Sequence, residues 1–292
     1  MGIGTSRPRR VAAAEHEAGR RTRVLAQDMG LFGPESIAWR LHRHPALLLG
    51  GLRALMVQAL HPLAMAAVAR YSDYRNDVWG RYNRTTMYVV TTIFGSTRQA
   101  RAAGDRVRAV HAPMEGVDEV TGLQYRADDP DLLLWVHTAL VESFVVAYER
   151  YVAPLSPAER DRYVGEMVRQ AELVGIPAAM VPATWGAMEA FIERMRPRLQ
   201  VSAETRDAFD VVLHPPLPRW RRGPWRVIAE GAVALLPDYA LELYGLRRRP
   251  VVWAVMRPLV HVGSALARRR GRPPLVLRDA ILRARAAGYD YR

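Results

Sequence analysis

Three side chains combine reactive type with suggestive surroundings: His137, Arg108 and His111. His137 lies in the run Leu132-Leu133-Leu134-Trp135-Val136-His137-Thr138-Ala139-Leu140-Val141, where apolar residues fill every helical face, so this helix is expected to be packed on all sides. A buried imidazole without a partner costs about 1–3 kcal/mol, so it must either hydrogen-bond inside the core or bind a metal. Upstream, Arg108 and His111 are three residues apart in Arg106-Val107-Arg108-Ala109-Val110-His111, which puts them on one helical face. Two potential cations repel, so the pair makes sense if both face something anionic or electron-rich. The plainer alternative is a solvated Arg108 and a His111 that finishes its helix.

Composition excludes several classes of chemistry. With 292 residues and no cysteine, the chain has no disulfide, thiolate nucleophile, thiolate-ligated haem, C-x-x-C-H haem attachment, iron–sulfur cluster or cysteine zinc site. All 42 basic residues are arginine, which removes Schiff-base lysines and the P-loop lysine. The formal charge of +13 points to an acidic partner such as nucleic acid or anionic lipid. Arginines occur along the whole chain, however, with the densest runs at Arg219-Trp220-Arg221-Arg222, Arg247-Arg248-Arg249 and Arg268-Arg269-Arg270. These read first as solvated helix ends and second as a polyanion or lipid patch.

The elements that position these residues read as helices nearly throughout. An exposed N-terminal helix is expected over residues 9–31, and another from Gly33-Pro34-Glu35 to His44-Pro45. Apolar segments follow at 45–60 and 62–71. A helix carrying Arg81 and Arg84 stops at Gly95, and a basic amphipathic helix spans 97–114. A loop is expected over 116–125. Asp129-Pro130 then starts the His137 helix, with a side-chain cap followed by a residue whose missing N–H is no loss. Ser156-Pro157-Ala158-Glu159 is a capping box, and its helix breaks at Ile176-Pro177. Further helices follow Val181-Pro182 and Ser202. His214-Pro215-Pro216-Leu217-Pro218 is the strongest linker-like punctuation, with two or three helices after it.

The expected architecture is an all-α multi-helix globule: an extension over 1–32, a core over 33–213, and an appended helical layer over 214–292. No signal peptide is expected, since residues 1–28 lack an apolar stretch. Segments 47–69 and 251–267 are apolar but interrupted by Arg53, Gln58 and His61-Pro62, and by Arg257 and His261. A soluble, cytoplasmic protein is the expectation, with peripheral membrane contact left open.

Several motifs together resemble one family. They are Gly51-Leu52-Arg53 through His61-Pro62, Arg81-Tyr82-Asn83-Arg84-Thr85, Phe94-Gly95, Arg106 through His111, Tyr125 through Pro130 with Trp135-Val136-His137, and Gly175-Ile176-Pro177 with Val181-Pro182. In order and spacing, over roughly residues 35–210, they are similar to the oxygenases that include the rubber oxygenase (latex-clearing protein) and the mycophenolic-acid-pathway oxygenase.

That resemblance implies a helical fold enclosing haem b, with His137 as the iron ligand and Arg108 and His111 as the distal catalytic pair. Trp135 would lie against the cofactor, and Arg81, Arg84 and Arg101 are candidates to meet the propionates, which suit bidentate arginine. Glu142 and Thr138 are candidates to hold the other ring nitrogen of His137. The implied partners are dioxygen and a hydrophobic, isoprenoid or lipid-like substrate.

The chain also departs from the rubber oxygenase. Where that enzyme has a lysine and a threonine after the distal arginine, this chain has His111 and Ala112, and it has no acidic residue between Asp77 and Asp105 to stand for the upstream glutamate base. Cleavage of polyisoprene is therefore not carried over. His111 would shuttle protons or close the site as a sixth ligand. Two other classes are weaker. A non-haem di-iron enzyme needs paired Glu-x-x-His motifs, which are absent. A non-catalytic basic module binding nucleic acid or anionic membrane lacks a helix-turn-helix pattern. The remaining histidines (His16, His42, His44, His61, His214 and His261) sit at ends, junctions or loops and carry no assignment.

Overall fold

The computed structural model describes residues 28–248, 250–270 and 273–290. Its helices begin where side-chain caps and prolines place them. Ser36 caps α1 (Ile37–His42), and two apolar helices follow, α2 (Leu47–Gln58) and α3 (Pro62–Tyr71), bent by 104° at the His61–Pro62 junction. Asp77 caps α4 (Val78–Phe94), and the Ser96/Gln99 capping box starts α5 (Thr97–His111). Asp129 caps α6 (Pro130–Tyr151), the His137 helix, and the Ser156/Glu159 box starts α7 (Pro157–Leu173). Then come α8 (Trp185–Met195), α9 (Ala203–Leu213), α10 (Arg219–Val233), α11 (Asp238–Tyr244), α12 (Pro250–Arg270) and α13 (Leu275–Ala286).

The all-α expectation holds, with four corrections. Residues 116–125 do not form a plain loop. Glu115–Val117 (β1) and Gln124–Arg126 (β2) pair as a small antiparallel hairpin, with Gly116 opposite Tyr125. Four helices, α10 to α13, follow the proline-rich punctuation, since Pro237, Pro250 and Pro274 each precede or open a separate helix. The basic helix ends at His111 instead of 114, and residues 28–31 are not helical. The rest of the expected N-terminal helix lies outside the described residues.

Helix α6 is the axis of the fold. It runs along α2 and is surrounded by α7, α8, α12, α1 and α3. Its buried residues, from Leu132 and Trp135 through Phe144 to Tyr151, cover all sides, as an apolar helix requires. Helix α5 packs on α4 and α7 and has no extensive packing against α6. The C-terminal layer joins the same core: α10 rests on α2, and α13 on α4. At 22 residues, α6 is also long and apolar enough to cross a membrane, but most of it is buried inside the fold.

Candidate active site

The His137 segment is held by its neighbours on both sides. The Trp135 indole N–H donates to the Gln58 carbonyl at 3.2 Å, and the Gln58 amide returns a bond to the Val136 carbonyl at 2.9 Å. The Thr138 hydroxyl donates to the Leu134 carbonyl at 2.8 Å. One turn further on, Glu142 accepts two bonds from the Arg53 guanidinium at 2.6 and 2.8 Å, while Arg53 also donates to Ser143 Oγ and the Leu235 carbonyl. Gly50 makes this α2–α6 contact possible. A Cβ there would lie 2.9 Å from the Ser143 carbonyl oxygen.

His137 itself is only 8 % exposed, and no hydrogen bond holds either ring nitrogen among the described residues. Glu142 and Thr138, expected to hold one of those nitrogens, do not. Glu142 is committed to Arg53, and the Thr138 hydroxyl turns back onto its own helix. Burial pushes the imidazole pKa down to about 4, so the ring is neutral, with a free lone pair, across the neutral range. Unlike Nδ1 of His61 and of His111, its ring nitrogens are not sealed in the core, so the lone pair is open to a ligand.

Arg108 and His111 share the exposed side of α5 near its C-terminal end. Arg108 donates to the Leu173 carbonyl on α7 and to Asp105 one turn back, which fixes its side chain. Gly104 allows the close approach, because a Cβ there would collide with the Leu173 carbonyl. His111 is half-buried; its Nδ1 is occluded and has no partner, and burial lowers its pKa against a smaller opposing pull from Asp128. Helices α5 and α6 each pack on α7 but not extensively on each other, so the arginine–histidine pair and His137 stand on separate helices joined by the hairpin. Each of α4, α5 and α6 leaves an apolar side chain exposed: Met87, Val110 and Val136.

The three candidate arginines differ. Arg81 is largely desolvated, which lowers its pKa, and its guanidinium donates to Ser72 Oγ with no carboxylate paired to it. Ser72 lines a cavity of about 330 Å³ formed by residues 69–73 with Arg75 and Asn76. Arg84 pairs with Asp77 at 2.9 Å on the surface, and Arg101 is exposed without a described partner. Trp135 is fully enclosed, its ring tilted against His61 at 6.2 Å between centroids. His61 has an occluded, unpartnered Nδ1, and burial pushes its pKa down to about 4.

Sequence reasoning missed the Arg53–Glu142 pair and the close approaches at Gly50 and Gly104. The pair had a readable signal: one charge of each sign inside two otherwise apolar helices.

Fold and site together define an all-helical protein built round a buried, unpartnered imidazole. Residues 39–265 match the family described as "ER-bound oxygenase mpaB/B'/Rubber oxygenase, catalytic domain", and the chain belongs to that family. It is thus an oxygenase catalytic domain by family, and the match extends past the proline-rich segment into α12. No curated protein and no solved structure matches the chain.

Proposed function

We propose that this chain is a haem-b-dependent oxygenase acting on a hydrophobic substrate, with His137 as the iron ligand. The observation that carries this reading is the His137 ring, largely buried and neutral, whose nitrogens have no hydrogen-bond partner among the described residues and are not sealed from solvent. Among the described residues no three His, Asp or Glu side chains converge as a metal site. A lone imidazole suits a metal whose other ligands come from a macrocycle, and it does not suit a carboxylate-bridged di-iron centre. Haem, when bound, supplies dioxygen binding and activation.

The chain's own residues then have distinct tasks. The Gln58 bonds on either side of Trp135 and Val136 fix the rotation of α6 and so aim His137. Arg81, desolvated and without a carboxylate, is the best-prepared partner for a propionate, with Arg84 and Arg101 as further candidates. Trp135 braces the ligand helix from within the core and meets the cofactor only through that support. Arg108, anchored to Leu173, would offer a positive charge to an anionic or electron-rich group. His111, biased toward its neutral form, would accept or return a proton at Nε2, since its Nδ1 is occluded. Met87, Val110 and Val136, one exposed apolar side chain on each of α4, α5 and α6, are the candidates for contact with an apolar substrate.

Titration of the apoprotein with haemin, followed in the Soret region, tests this. Saturable one-to-one binding lost in His137→Ala is expected. His111→Ala should keep the haem yet change the ferric spectrum and the pH dependence of turnover. Equal haemin binding by wild type and His137→Ala overturns the assignment.

A further inference from the structure

The apolar outer face of α12 and the charge of the C-terminal layer have no task in the chemistry above. Val255, Leu259, Val262 and Leu266 follow one another at spacings of four, three and four residues and are 53, 48, 62 and 49 % exposed. They form one stripe along the outside of the helix. The opposite side is anchored: Met256 and Ser264 are buried, and Met256 packs on Gly231 of α10. The stripe is therefore not an undocked core face that reaches inward elsewhere.

The surroundings say what covers it. Residues 214–292 contain 16 arginines and five acidic residues, so this layer holds +11 of the formal +13. Helix α12 has no acidic residue, and exposed Arg248, Arg257 and Arg269 lie before, within and at the end of it. At the start of α10, Trp220 is 72 % exposed, with the Arg221 guanidinium 4.5 Å from its ring centroid. Arginines before, within and at the end of a helix with a long apolar stripe, and an exposed tryptophan on the neighbouring helix α10, are the composition of a surface lying in a lipid headgroup layer. A second copy of the chain would bring two such charges together, which opposes pairing through this face. Nucleic acid would use the arginines and leave the stripe in water.

We infer that the α12 face, flanked by the arginines of the C-terminal layer, docks on an anionic membrane surface. The stripe enters the headgroup–acyl boundary, and the arginines meet lipid phosphates. This placement does not depend on the cofactor reading, and the two fail separately.

Full-length protein is sedimented with vesicles of phosphatidylcholine alone or mixed with phosphatidylglycerol, with and without haem loading. Binding to the mixed vesicles only, weakened by salt, is expected. Leu259→Asp with Val262→Asp should weaken it by about tenfold or more, since two charges then enter the apolar layer. Because both positions are exposed, circular dichroism and haemin binding of that variant should match wild type. A variant that binds vesicles as wild type does, or equal binding to both vesicle types, overturns the inference. So does tight single-stranded RNA binding without vesicle binding, or a dimer in sedimentation equilibrium that the variant abolishes.

Discussion

At the scale of single residues, a ligand histidine and a structural one make different predictions. A structural imidazole in a core makes hydrogen bonds, and removing it leaves its partners bare. His137 has none to leave among the described residues. His137→Leu should therefore keep or raise the stability of the haem-free protein, by up to about 1 kcal/mol in urea denaturation, while abolishing haem binding. A drop of several kcal/mol would mark His137 as structural. The acid limb of stability follows the same logic. His137 and His61 have folded pKa values near 4, against 6.5 for an exposed histidine. Between those values the unfolded chain binds protons that the folded chain does not, so stability is full above about pH 6.5 and falls as pH drops toward 4. Each such group contributes about 3 kcal/mol over that window. His137→Leu should flatten that slope in denaturation curves taken at stepped pH.

At the scale of elements, the sequence was legible where local chemistry sets the boundary. Asp129-Pro130 and Ser156-Pro157 start their helices at the expected residues, and His61-Pro62 bends the apolar segment. The hairpin was not legible, because two three-residue strands are too short to show a period of two. The candidate site was legible in its types and not in its supports. Arg108, His111 and His137 stand out, whereas the Leu173 carbonyl that holds Arg108 belongs to a distant helix. The Arg53–Glu142 pair ties α2 to α6 just beyond His137. Arg53→Met leaves Glu142 in a nearly buried setting without its cation and should cost about 3–5 kcal/mol. Arg53→Met with Glu142→Leu should recover most of that loss in thermal melts. Gly104→Ala should push α5 off α7 and release Arg108, lowering turnover more than haem affinity, as steady-state kinetics beside haemin titration would show.

At the scale of the whole molecule, net charge is divided unevenly along the chain. The residues before 214 are almost neutral in sum, and the layer after them carries nearly all of the net charge. Yet α10 packs on α2, and Arg283 of α13 donates to the Phe94 carbonyl at the end of α4. The layer thus closes the core on its inner side and displays arginine and apolar surface outward. A hydrophobic substrate dissolved in a bilayer would be within reach of an enzyme held at that surface.

The most direct measurement is the porphyrin and iron content of the protein purified from haem-supplemented cells, wild type beside His137→Leu. The predicted result is one haem b per wild-type chain and none in a folded variant. Folded wild-type protein free of porphyrin, or a variant that keeps its haem, contradicts the assignment of His137 as the iron ligand.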